Sequence, residues 1–145
     1  MNECNDSTSR TIIAGYGLPG RAVAQVFRSR QQPYCIIELN PATVERCEKG
    51  GTPIIEGDCR NPEVLKQAGI DSAAMILILI PNDKAAIEAT IEARRLNPNI
   101  HIITRCHYTS SGIDARANGA NEVVVAEQIV AEELTRRLQS PQTPV

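Results

Sequence analysis

The 145-residue chain predicts a Rossmann-like, doubly wound six-stranded parallel sheet in a single domain, an α/β fold. Three observations carry this expectation. First, a short apolar run, Thr11-Ile12-Ile13-Ala14, ends in a G-x-G-x-x-G motif formed by Gly15, Gly17 and Gly20, and a helical pattern follows at once. Second, another apolar run, Tyr34-Cys35-Ile36-Ile37, ends on an acid, Glu38, 18 residues beyond Gly20. Third, aliphatic runs and helical patterns alternate along the rest of the chain. With 42% apolar but only 3% aromatic residues, Ile, Val, Leu and Ala must build the core. That suits a parallel sheet buried on both faces.

The elements follow in order. A strand over Thr11–Gly15 leads into a helix from Leu18 to Arg30, which Gln31-Gln32-Pro33 breaks. The second strand is Tyr34–Leu39. Asn40 then caps a helix that carries Pro41 in its first turn and runs to Lys49. Gly50-Gly51 ends it, before a short strand over Pro53–Glu56. Asn61 caps a helix with Pro62 at its start that runs to Ala68, and Gly69 is its C′ residue. The fourth strand, Ala73–Ile80, is the most aliphatic. Pro81-Asn82-Asp83 opens a helix to Leu96 whose apolar positions (Ala85, Ala86, Ala89, Ala93, Leu96) keep helical spacing. Asn97-Pro98-Asn99 turns the chain into strand Ile100–Arg105. A helix over Ser111–Asn118, a strand over Glu122–Val125 and a helix over Glu127–Leu138 complete the series. Residues 1–9 read as a disordered or linker segment, 10–139 as the domain, and 140–145 as a tail.

The bulk numbers exclude several classes. A net charge of −2 argues against nucleic acid as a partner. No apolar run approaches the length of a membrane span, and Met1–Arg10 is too polar for a signal peptide. The five cysteines (Cys4, Cys35, Cys47, Cys59, Cys106) show no C-x-x-C spacing, which points to a reduced cytosolic setting. Arg94-Arg95 and Arg136-Arg137 read as solvated faces.

The glycine motif has a chemical meaning in this context. Gly15 allows a tight turn, Gly17 lets a pyrophosphate approach the backbone, and Gly20 lets helix and strand pack closely. Free N–H groups at the helix start then meet the phosphates. Glu38 can accept hydrogen bonds from ribose hydroxyls and repels a 2′-phosphate. Pro19 stands where an N–H would point toward the phosphates and has none, so the cradle loses a donor. The expected result is weakened pyrophosphate affinity, partly offset by Arg21 or Arg105.

From about Arg10 to Leu138 the chain resembles the nucleotide-binding half of a regulator-of-potassium-conductance domain, the TrkA-N type found with Kef-like antiporters and potassium channels. The matching stretches are Ile12–Gly17 with Gly20–Ala24, Ile36–Pro41, Gly57–Leu65 with Ala68–Ile70, Ala93–Pro98, Ile102–Arg105 and Gly119–Val124. The resemblance implies a non-enzymatic, dimerising sensor that binds NAD(H), ATP, ADP or AMP. It would report to a membrane-embedded potassium channel or cation antiporter at the cytosolic face of the membrane, as a homodimer or larger ring.

Residue by residue, the resemblance puts phosphates on backbone N–H groups near Gly17, Leu18 and Gly20, and the adenosine ribose on Glu38. Leu39 follows as a further cofactor-binding position, and Asn40, in the place of the family's second polar residue after that strand, would support the ribose. Asp58, with the Cys59 backbone beside it, would face adenine, and Arg105 would lie near the phosphates. Glu127 aligns with a glutamate that meets a divalent ion between subunits in some members. Each has a plainer use: Asp58 closing a turn with Asn61, Arg105 pairing with a surface carboxylate, and Glu127 stabilised at a helix start by the macrodipole. Two other readings compete with the sensor. One is a fragment of an NAD-dependent oxidoreductase, for which only His101 and His107 are available, without an evident partner acid. The other is a degenerate Rossmann scaffold used only in assembly.

Overall fold

Six parallel strands run in the order β3-β2-β1-β4-β5-β6, so the chain winds outward from β1 in one direction and then returns to build the other half. The computed structural model describes residues 10–142 and 144; the expectations for residues 1–9, the environment of Cys4 and part of the expected tail lie outside that set. The elements are β1 (Thr11–Ala14), α1 (Leu18–Ser29), β2 (Tyr34–Glu38), α2 (Pro41–Lys49), β3 (Ile54–Glu56) and α3 (Pro62–Gln67) in the first half. The second half holds β4 (Met75–Ile78), α4 (Asp83–Leu96), β5 (His101–Cys106), α5 (Thr109–Ala117), β6 (Glu122–Val125) and α6 (Ala126–Leu138). The expected fold class is therefore observed. The reversal of strand order falls between β1 and β4, where α/β sheets open a crevice at their carboxyl ends.

The pleat of β1 sorts the core into two layers. Ile12 and Ala14 join Cys35, Ile37, Ile76, Ile78 and Ile102 beneath α3, α4 and α5, through Leu65, Ala86, Ala89, Ala93 and Ala115. Ile13 joins Ile36, Ile54 and Leu77 on the opposite face, beneath α1 and α2, through Ala24, Val44 and Cys47. Alanines at the α4 contact let that helix lie close to the sheet, which compensates for the lack of large aromatic fillers.

The caps fall where expected. Asn40 Oδ1 accepts from the Ala42 N–H at 3.0 Å and Asn61 Oδ1 from the Glu63 N–H at 3.0 Å. Asn82 does the same for Ala85 at 2.9 Å. α5 starts two residues earlier than its sequence pattern indicates, because the Glu127 carboxylate accepts from both the N–H and the hydroxyl of Thr109. β4 is shorter at both ends than the aliphatic run, because β1, its central partner, has only four residues to pair with it.

Arg94 corrects the reading of Arg94-Arg95 as a solvated pair. Arg95 is exposed and pairs with Glu92, and Arg136 and Arg137 pair with Glu133. Arg94 instead lies partly buried, donating to the carbonyls of Pro98, Ile100 and Gly119 and to Asn121 Oδ1. Asn121 Oδ1 in turn accepts from the Ile102 N–H at 2.8 Å. The guanidinium thus ties α4 to the turn that leads into β6.

Candidate functional site

At the carboxyl ends of β1, β2, β3, β4 and β5 lies a cleft of about 840 Å³. That is within the range of roughly 300–1,000 Å³ usual for small-molecule sites. Its floor is the turn after β1. Gly15 adopts φ +105°, and a Cβ there would meet Leu79 and Ile80, just past the end of β4, at 3.1–3.2 Å. A Cβ on Gly20 would stand 2.0 Å from the Gly15 carbonyl oxygen, so α1 rests on the turn at a distance only glycine permits. A Cβ on Gly17 would meet nothing within 4 Å, leaving its backbone open on the cleft. The three glycines therefore have the geometry of the motif: turn, open approach and close packing.

α1 begins with Gly17 as N-cap and no side-chain cap, so its first amides have no partner from the chain's own side chains. The first turn also has no acidic residue to compete for the positive helix end. Pro19 is the second helical residue, and the donors left at this end are the N–H groups of Leu18 and Gly20.

Glu38 ends β2 with its carboxylate turned onto the glycine loop, where Oε2 accepts from the Tyr16 N–H at 3.0 Å. Its own carbonyl accepts from Gly57 N–H at 2.9 Å, which ties the β2 and β3 ends together. Leu39 and Asn40 continue the wall, and Asn40 spends its side-chain oxygen on capping α2.

Asp58 lines the same cleft but is not idle. Its Oδ1 accepts from the Arg60 N–H at 2.9 Å, and the Arg60 guanidinium grips both oxygens, at 2.7–3.2 Å. Arg60 Nη1 then reaches Glu88 of α4 at 3.0 Å. The Arg60 guanidinium holds the Asp58 carboxyl below the usual carboxylate range, against a smaller opposing effect of burial. A lowered value makes the ionised form favourable to folding above the unfolded value of about 3.9, and that contribution is lost as pH falls through the folded value. The pair is partly exposed, so its worth is under about 1 kcal/mol. Asp58→Asn is accordingly expected to shift Tm little at pH 7 and to flatten the acid limb of Tm against pH below about pH 4. An unchanged acid limb would remove the linkage.

Arg105 reaches the cleft from β5 and forms no hydrogen bond or ion pair among the described residues. The plainer alternative, a surface carboxylate partner, is thus not what the structure contains. Arg21, offered above as a second compensating cation, lines a neighbouring groove between α1 and α2 instead, because one step past Gly20 turns it toward α2. Cys59 is buried, and burial pushes its thiol up to about 12, so it contributes its backbone and bulk. Cys35, Cys47, Cys59 and Cys106 are all buried.

Gly15, Gly17, Leu18, Pro19, Glu38, Leu39, Asn40, Asp58, Cys59 and Arg105 thus all line one cleft, while Gly20 lies behind it as a packing residue. Lys84 and Arg60 also line it and are not evident from the sequence motifs. Lys84 follows the Asn82-Asp83 helix start at the β4 end, and that position is the signal that could have found it. Glu127 lies elsewhere, with its carboxylate on Thr109, and no group of three or more His, Cys, Asp or Glu that could hold a metal occurs among the described residues.

Both histidines prove to have acid partners, contrary to expectation. His107 Nδ1 meets Asp83 Oδ1 at 2.9 Å, and His101 Nε2 meets Glu122. Burial of Asp83 opposes its ionisation, but donors from His107, Ser111 and Tyr108 outweigh it and lower its value. Neither histidine lines the cleft. The pairs were hidden because each partner is more than 20 residues distant in sequence.

Comparison with known proteins agrees with this geometry. The TrkA-N domain model matches residues 11–126. The putative cation/proton antiporter YbaL of Escherichia coli K12 is 29% identical over 136 residues, covering 94% of this chain and 24% of YbaL. The crystal structure of the YbaL TrkA-N domain superposes with a TM-score of 0.86 at 28% identity, over 91% of this chain and 97% of that one. The probable potassium channel protein 2 of Methanocaldococcus jannaschii is 35% identical over 116 residues, 78% of this chain and 34% of the channel protein. GsuK bound to ADP superposes with a TM-score of 0.81 at 26% identity, over 94% of this chain and 35% of that one. The chain therefore spans about a quarter to a third of these curated relatives. With the glycine turn, the acid at the β2 end and a family match over most of its length, the chain belongs to the TrkA-N domain family.

Proposed function

We propose that this domain is a non-enzymatic sensor that binds an adenine nucleotide, NAD(H) or ATP, ADP or AMP, and passes its ligand state to a potassium channel or cation antiporter at the cytosolic face of the membrane. The observation that carries the reading is the pairing of an uncapped α1 start with the Glu38 carboxylate, held across the same loop by the Tyr16 N–H. One end of the loop offers N–H donors to phosphate and the other an acceptor to ribose hydroxyls. Arg105 supplies a cation with no competing partner among the described residues. The unit that binds is residues 10–139, with phosphates against the backbone N–H groups near Gly17, Leu18 and Gly20, ribose on Glu38 and adenine toward Asp58. Asp58 would meet an adenine amino group only with oxygens that Arg60 already engages, so Arg60 sets the orientation of that acceptor.

Assembly supports the sensor reading. α6 buries none of its residues, and Ile129, Val130, Leu134 and Leu138 lie exposed on it. Four exposed aliphatic residues on one 13-residue helix are a face that seeks a partner, and in this reading it meets a second copy of the chain. Ligand binding would act by differential affinity for two arrangements of that dimer.

A thermal-shift panel with NAD⁺, NADH, ATP, ADP, AMP and NADP⁺ tests the ligand. A nucleotide at 100 times its dissociation constant adds about 2.7 kcal/mol, a shift of several degrees at this size. Glu38→Ala should abolish the shift, NADP⁺ should give none, and Pro19→Val should enlarge it. No shift with any nucleotide would leave the assembly scaffold as the better account.

A further inference from the structure

Next to the nucleotide cleft, with Tyr16 lining both, a second groove of about 800 Å³ runs between α1 and α2. Three guanidiniums line it: Arg21 and Arg28 from α1 and Arg46 from α2. Among the described residues, no Asp or Glu lines it. Elsewhere on the surface Arg60, Arg95, Arg136 and Arg137 each pair with a carboxylate. Around the groove the arginines have only neutral partners. Arg28 donates to the Tyr34 hydroxyl at 3.1 and 3.3 Å and to Gln25 Oε1 at 3.2 Å. Arg46 donates to Thr43 Oγ1 at 3.3 Å, and Arg21 forms no hydrogen bond or ion pair among the described residues.

We propose that this groove is a second anion site, distinct from the nucleotide cleft, which takes a compact small molecule of the diphosphate type. Like charges gathered on a concave surface repel one another, and without an acid among them the field is focused outward into the groove. Guanidinium forks match phosphate oxygens in pairs, and Tyr34 and Thr43 hold two of the forks through neutral oxygens that do not cancel their charge. Tyr16 borders both cavities: its N–H holds Glu38 at the ribose end of the cleft, and the residue closes one end of the groove.

The test is a titration of the ¹⁵N-labelled chain with inorganic pyrophosphate, followed by amide shifts. The expected result is perturbation centred on Thr43, Gly51 and Thr52, with affinity weakened at least about tenfold in the double variant Arg28→Gln/Arg46→Gln and unchanged in Arg105→Gln. Arg28 and Arg46 are exposed, so the double variant retains the fold. Perturbation centred on Leu18 and Gly20 and lost in Arg105→Gln would overturn the proposal by assigning the anion to the nucleotide cleft. So would equal affinity in the double variant, or no binding up to about 10 mM. Failure of the nucleotide panel would leave this result untouched, because Arg21, Arg28 and Arg46 lie outside the lining of the cleft.

Discussion

Gly20→Ala is expected to destabilise the domain by about 3–4 kcal/mol, a fall in Tm of about 10 °C. The added Cβ would lie 2.0 Å from the Gly15 carbonyl oxygen and 2.9 Å from its carbon, and both are backbone atoms that no rotamer change can move aside. Relief requires α1 to lift away from the β1 turn. That would open the layer formed by Ala24, Ile13 and Ile36 and misplace the loop that holds Tyr16 and Glu38. Gly17→Ala, three residues earlier, is the paired control. Its Cβ meets nothing within 4 Å, so stability should stay within about 0.5 kcal/mol while phosphate approach is blocked. Urea unfolding of both variants separates the two jobs. A Gly20→Ala protein within about 1 kcal/mol of the parent would refute the packing account.

Arg94→Met should cost about 2–3 kcal/mol, far more than any other arginine substitution on the surface of this chain. Methionine keeps much of the stem that packs beside Gly119 but removes all donors to the carbonyls of Pro98, Ile100 and Gly119. Those acceptors are partly shielded from water, so they are left poorly satisfied. Arg95→Met, which loses only an exposed pair with Glu92, should change stability by less than about 0.5 kcal/mol. Arg94→Lys should recover little, since a single ammonium cannot span acceptors on both sides of the turn. Equal urea midpoints for Arg94→Met and Arg95→Met would show that Arg94 has no special role.

These two positions mark what could be read from the chain and what could not. The glycine motif, the β2-end acid and the Asn40 and Asn61 caps are local features, fixed by a strand end or by a hydrogen bond two residues long. The family resemblance pointed to Asp58 and Arg105, and the structure brings them to the same cleft although they are 47 positions apart. Arg94 was unreadable because its partners are mostly backbone carbonyls, those of Pro98 and Ile100 nearby and that of Gly119 25 residues away, and carbonyls leave no trace in a sequence. The histidine–acid pairs and the Arg60–Glu88 bridge were hidden in the same way. Arg21, Arg28 and Arg46 look like ordinary solvated positions until α1 and α2 are set side by side.

The junction of β6 and α6 has a mechanical consequence. Val125 is at once the last residue of the strand and the N-cap of the helix, so no loop absorbs rotation between them. The sheet edge is itself clamped to α4 through Asn121 and Arg94. A 13-residue helix is about 20 Å long, and a tilt of about 10° at its root displaces its tip by about 3.5 Å. α6 is in effect a lever with a stiff fulcrum: small angular changes at the sheet edge become translations large enough to re-register the aliphatic face it carries.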